Sequence, residues 1–207
     1  MSTVGVEPAR ADDQKEAAII AGARKTFLAR GFDAASMDAI ALMAGVSKRT
    51  VYNRFRSKEE LFAAAIHDTC ERILPLDIEA IEASLPPKEF IRQMSRIFLQ
   101  AILEPEAIAL RRIAAFEAAR TPALGRSYLE HGPRLMVKTS MPIVERLTAR
   151  GTLKIDNAER AIWQLGALIT EPLYTEVLMG AAPADLEAAI DEQIESGVEA
   201  FLKLYGA

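Results

Sequence analysis

One cysteine, Cys70, occurs in 207 residues. A chain with a single thiol holds no intrachain disulfide framework and suits a reducing compartment such as the cytoplasm. Aromatic side chains are scarce, at 6%, while half of the residues are hydrophobic. An Ala-rich chain of that kind favours helices over sheets and can still bury a sizeable core. No window approaches 18 apolar residues, so neither a membrane span nor a membrane partner is expected. The start, MSTVGVEPARADDQKE, has no apolar h-region and is not read as a signal peptide. Two histidines leave few candidates for acid–base or metal chemistry. His67, Cys70 and Glu71 share a helical face at i, i+3, i+4, but no second Cys/His cluster exists to complete four ligands. A polar residue beside a buried thiol is the better reading there. Gly-x-Ser-x-Gly, a phosphate-cradling Gly-rich loop and His-Glu-x-x-His are all missing. No catalytic residue, metal or cofactor is therefore expected.

Net charge is −4, which argues against a protein that coats nucleic acid over its whole surface. Its distribution points elsewhere. Residues 10–58 carry +5 and the rest −9. A basic head on an acidic body is an electrostatic footprint for DNA at one end.

Within the head, residues 36–60 read SMDAIALMAGVSKRTVYNRFRSKEE. The spacing predicts two short helices joined by a glycine turn, then the capped start of a third. Ser36 is a candidate N-cap, and Ile40, Ala41 and Ala44 mark one apolar face. Gly45 supplies the positive φ of a tight turn and Val46 anchors it. Ser47 caps the next helix, whose Val51 and Phe55 point inward at i, i+4. Lys48, Arg49, Thr50, Tyr52, Asn53 and Arg54 occupy the opposite face, which suits a DNA major groove. Arg49 and Lys48, at the helix N-terminus, can donate to guanine O6 and N7. Thr50 can touch a thymine methyl or a phosphate. Tyr52 can reach a phosphate, and Asn53 can pair with adenine or stay solvated. Ser36, Ser47, Arg54 and Lys58 are assigned to phosphates, which position without reading sequence.

These residues resemble the TetR family of bacterial transcriptional regulators. The resemblance rests on Ile40-Ala41, Ala44-Gly45-Val46-Ser47, Val51-Tyr52, Phe55 and Ser57-Lys58-Glu59 at fixed spacing, with Val51 where Leu is commoner. Asn53-Arg54 falls at variable positions, so no operator sequence carries over. Residues 110–180 are similar to the AefR-like class of C-terminal regulatory domains, through Phe116-Glu117-Ala118, Pro122-Ala123-Leu124, Tyr128, Gly132-Pro133 and the run from Leu165 to Gly180. The resemblance implies an all-α fold: an N-terminal three-helix helix-turn-helix domain joined to a larger helical ligand-binding and dimerisation domain.

Along the chain, residues 1–11 are expected to form a mobile tail, 12–58 the DNA-binding domain and 59–207 the regulatory domain. Asp13 with Glu16 resembles a capping box, and the first helix is expected to end at Gly31. Ser57 with Glu60 is a better capping box, opening a fourth helix that runs to about Leu74, where Pro75 stops it. Phe90, Met94, Ile97, Phe98 and Ile102 recur at helical spacing after Pro86-Pro87. Pro105 starts a helix with Ile108, Arg112, Phe116 and Ala119. A helix over about 123–150 should kink at Gly132-Pro133 and stop at Gly151. Two more are expected over about 156–180, bent at Pro172, and 184–204. The last carries Leu186, Ala189, Ile190, Ile194, Val198, Phe201, Leu202 and Tyr205, a stripe wide enough to be read as a dimer interface.

Phe98, Arg112, Phe116, Tyr128, Met136, Trp163, Glu171 and Tyr174 mix large apolar groups with a few polar ones, as small-molecule pockets do. The expected function is a ligand-responsive repressor that binds a palindromic DNA operator as a homodimer and is released by a hydrophobic or amphipathic effector. A DNA-binding protein with a solid body and an all-helical enzyme are the alternatives.

Overall fold

The computed structural model describes residues 11–72 and 77–207. The expected tail falls outside them except for Ala11, which already begins the first helix, and so does Pro75. Among the described residues the chain is all-helical, its one strand-like pairing a bridge between Leu153 and Gly206.

The head is built from α1 (Ala11–Ala34), α2 (Met37–Ala44), α3 (Lys48–Arg54) and the start of α4 (Lys58–Glu71). Local chemistry sets its boundaries. Ser36 Oγ accepts from the Ala39 amide (3.2 Å), Ser47 Oγ from Thr50 (3.1 Å) and Ser57 Oγ from Glu60 (3.2 Å). Each satisfies an amide that the first helical turn leaves without a partner. Glu60 returns the favour one residue early, accepting from the Arg56 amide at 2.7 Å. Gly45 ends α2 at φ 68°. A side chain there meets the left-handed penalty, so Gly45→Ala is expected to lower stability by about 1–2 kcal/mol in chemical denaturation.

The Asp13 capping box is a correction: Asp13 lies inside the first turn of α1, where its charge suits the helix dipole, and Glu16 pairs elsewhere. Gly31 does break α1, at φ 74°, and one further turn carries the chain to Ala34. That break turns Phe32 under the head. It stacks on Phe27 (5.7 Å between ring centres), and both meet Phe62 of α4 edge-on (5.3 and 5.6 Å).

The body comprises α5 (Ile78–Ser84), α6 (Pro87–Leu103), α7 (Pro105–Ala118), α8 (Pro122–His131), α9 (Pro133–Ala149), α10 (Ala158–Thr170), α11 (Leu173–Leu178) and α12 (Leu186–Tyr205). Prolines at the first helical position open α6 to α9, where a missing amide costs nothing. Gly132-Pro133 separates α8 from α9 instead of kinking one helix, and Glu171-Pro172 separates α10 from α11.

Two apolar clusters organise these helices. One holds the head together and extends into the body through Leu110 and Ala114 of α7 and Leu124 of α8. The other gathers α6 and α9 to α12 and takes Ile108 from α7. Helix α7 therefore belongs to both.

The second cluster overturns the dimer stripe. Ile190, Ile194, Val198 and Phe201 are at most 2% exposed within a single chain. They pack inward because α12 is central to the body, where α6 and α10 cover its apolar face. Gly197 lets α10 come close: a Cβ on it would stand 2.5 Å from the Leu168 carbonyl oxygen.

Candidate nucleic-acid interface and cavity

Helix α3 turns Val51 fully inward and leaves Lys48, Arg49, Tyr52 and Asn53 on the outside. Tyr52 is 54% exposed, unusual for an unpartnered aromatic ring. Arg49 has no ion-pair or hydrogen-bond partner among the described residues. Lys48 is paired with Asp38 of α2, an exposed ion pair that holds little energy and that DNA can displace. The hydroxyls of Ser47 and Thr50 bond to each other at 2.7 Å, at the end of α3 that carries the two cations.

Two of the assigned phosphate contacts have other partners. Arg54 is a correction. Its guanidinium reaches back to α1 and binds Asp12 and Glu16, each at 2.8 Å, with the side chain only 21% exposed. Two carboxylates cancel its charge and turn it away from a groove, so it ties the reading helix to α1. Lys58 donates to the carbonyls of Phe32 (2.9 Å) and Asp33 (3.2 Å) and lies 4.4 Å over the Phe32 ring. An ammonium has three donors. Two are used in fixing Lys58 at the end of α1, and one remains.

A second ion network joins head to body. Arg24 of α1 pairs with Asp68 of α4 (2.7 Å) and Glu106 of α7 (3.2 Å). Sequence reasoning missed it, because its members lie on three helices far apart in the chain.

Below this network the body holds a partly open cavity of about 570 Å³. Phe98, Tyr128, Met136, Trp163, Glu171 and Tyr174 line it, so six of the eight candidates come together. Arg112 and Phe116 do not. Arg112 donates to the carbonyls of Leu178 (2.8 Å) and Val177 (3.1 Å), capping the end of α11. Phe116 is 68% exposed. The cation at the cavity is the neighbouring Arg111, whose guanidinium stacks 4.6 Å from the Tyr174 ring centre.

A smaller apolar chamber of about 180 Å³ adjoins it, sharing Phe98, Pro133, Met136, Trp163 and Gly166. Met94 and Ile97 of the predicted α6 stripe line this chamber; the fully buried face of α6 also includes Ile91, Leu99 and Leu103. Burial pushes the Cys70 thiol at the cavity wall up to about 11, so it stays protonated at neutral pH. Burial raises the Tyr128 and Tyr174 phenols as well. His67 and His131 lie near each other, with ring centres 6.4 Å apart, and no group of three metal-ligating side chains forms among the described residues.

Two families match this chain. "Bacterial regulatory proteins, tetR family" covers residues 19–65, and "AefR-like transcriptional repressor, C-terminal domain" covers residues 89–207. Over all 207 residues the chain is 28% identical to the HTH-type transcriptional regulator BetI of Rhizobium meliloti (strain 1021), spanning 96% of that protein. Among solved structures it is similar to a protein from Mesorhizobium loti MAFF303099 assigned to the TetR family. That match has 28% identity and a TM-score of 0.82, covering 95% of this chain and 99% of the other. It is also similar to the flavonoid-responsive regulator FrrA, with 35% identity and a TM-score of 0.75 over 94% of this chain and 98% of that one.

Proposed function

Because the chain belongs to the TetR family of bacterial transcriptional regulators, we propose that it is a ligand-responsive repressor, released from a palindromic operator by a small hydrophobic or amphipathic effector. It is a transcriptional regulator and not an enzyme. In this reading residues 12–58 hold the DNA-binding surface, residues 59–207 hold the regulatory part, and the protein works in the cytoplasm. No helix among the described residues is long and apolar enough to cross a membrane.

Regulators of this family bind DNA and act as dimers. For this chain we assign the dimer face to the outward side of α12 and the adjoining face of α10, where Ser196 and Leu204 lie away from the buried stripe. Two reading helices would then meet successive major grooves about 34–36 Å apart. Arg49, Lys48, Thr50 and Asn53 read bases; Ser36, Ser47, Tyr52 and Lys58 hold phosphates.

One observation carries the ligand response. Cys70, Ala114 and Tyr128 pack in or against the core under the reading helix, and all three line the cavity. A ligand that binds better when α4 and α7 are shifted changes the spacing of the heads, by no more than its differential affinity for the two states. A coupling of about 1–3 kcal/mol weakens operator binding about 5–150-fold. The name of FrrA, a flavonoid-responsive protein, supports a small organic effector.

Selection from random duplexes tests the reading. It should enrich two-fold related half-sites, and a compound that raises the melting temperature should release the protein from them. Enrichment of unpaired half-sites, or hits that leave DNA binding unchanged, would count against it. Lys58→Ala should weaken binding to operator and random DNA by the same factor and reduce the salt slope by about one per bound copy. A loss confined to the operator would remove Lys58 from the phosphate contacts.

A further inference from the structure

We propose that the effector is an amphipathic organic anion, its acidic oxygen held by Arg111 with Tyr128 and Tyr174, and its apolar end inserted into the inner chamber. This rests on the ligand-responsive reading above and narrows it to a chemical class.

The two chambers differ sharply in what they can hold. The inner one has hydroxyls at Ser95 and Ser140 and no charged side chain in its lining. An ion placed there loses its hydration without compensation. A charged head must therefore stay in the outer chamber, and only an apolar group can occupy the inner one. The volume of the inner chamber, about 180 Å³, suits a short alkyl chain or a single ring rather than a fused polycycle.

In the outer chamber the polar groups are mostly donors. Arg111 is half-buried and has no carboxylate partner among the described residues. Its neighbours Arg112 and Arg120 differ: Arg112 is spent on two carbonyls and Arg120 on Asp33. Arg111 instead stacks on Tyr174, and Tyr128 shares the same lining. Burial keeps both phenols protonated, so each retains an O–H to donate. A guanidinium and two phenols with no carboxylate between them match an oxyanion, which accepts from all three and is worth more to each than a neutral acceptor. The one carboxylate of the lining, Glu171, is exposed. Solvent screens it, so the repulsion it offers an anion at the approach is weak.

The lone Trp163 borders both chambers and reports directly. Titrating the full-length protein at neutral pH with octanoate, 1-octanol and octylamine, which share a tail and differ in the head, separates the terms. Octanoate is expected to bind at least about tenfold tighter than either of the others. In the series hexanoate, heptanoate, octanoate, affinity should rise up to about fourfold per methylene as the tail fills the inner chamber. Arg111→Gln should cost octanoate at least about tenfold and octanol much less, so that most of the octanoate preference disappears. Arg111→Lys should restore part of the preference, which also controls for damage to the fold. Equal binding of octanol and octanoate, or an unchanged preference in Arg111→Gln, overturns the anionic class while leaving the effector cavity standing. No change in Trp163 emission or melting temperature with any probe removes the cavity as a site and takes the ligand-responsive reading with it.

Discussion

Ile194→Glu is expected to unfold the body rather than split a dimer. Ile194 is 1% exposed, in the same buried cluster as Ile190, Val198 and Phe201. A carboxylate there has no partner; an unpaired buried charge costs several kcal/mol, and the lost Ile packing adds about 2–5 kcal/mol. The total rivals the about 5–15 kcal/mol that holds a domain together. Far-UV circular dichroism should show a large loss of helix or a melting transition lowered by tens of degrees. Leu204→Glu is the contrast. Leu204 is on the same helix but 64% exposed, so the fold should survive while sedimentation shows a weaker dimer. A well-folded monomer from Ile194→Glu would return the stripe to the interface and refute the inward packing.

Arg49→Ala should cost operator affinity far more than its single-site size suggests. Arg49 is exposed at the start of α3 and, unlike Lys48 and Arg54, has no carboxylate partner among the described residues. Nothing must be broken before it meets a base. A bidentate guanine contact is worth about 1–3 kcal/mol. A dimer carries the substitution twice, so operator binding should fall by about 2–6 kcal/mol, from about 30-fold to about 10⁴-fold. Random DNA, which offers no matched base, should lose much less. Competition anisotropy with both duplexes reads the difference. Equal losses on the two would make Arg49 a phosphate contact.

What was legible in the sequence is mostly what is decided locally. Ser36, Gly45, Ser47 and Ser57 act within four residues of themselves, and their placement follows from cap and turn chemistry. The periodicity of α12 was equally plain, but a stripe states that a face is buried and not what buries it. Helix α5 left no trace because its seven residues include none that is fully buried. It is held by Ile78 and Ile81, half-buried against the second cluster, and by Glu82, which binds Arg146 (2.7 Å) and Arg150 (2.8 Å) across the chain. Adjacent helical positions differ by about 100° in direction, so choosing Arg112 over Arg111 needs the rotation of α7, which packing alone sets. The capture of Arg54 by α1 is a contact between residues about 40 apart and is invisible to any short window.

The core beneath the reading head carries a practical consequence for building hybrid regulators. Leu110, Ala114 and Leu124 complete that core from beyond residue 58. A head grafted onto a foreign body at that junction would leave Phe27 and Phe32 without Phe62 and facing unmatched side chains. The hybrid would bind DNA poorly, or bind it without hearing the new body. Exchanging α4 and the α7 and α8 surface residues together with the head keeps the seam matched. For this chain the transplantable unit is therefore a surface in three dimensions, and a cut at one point in the sequence does not isolate it.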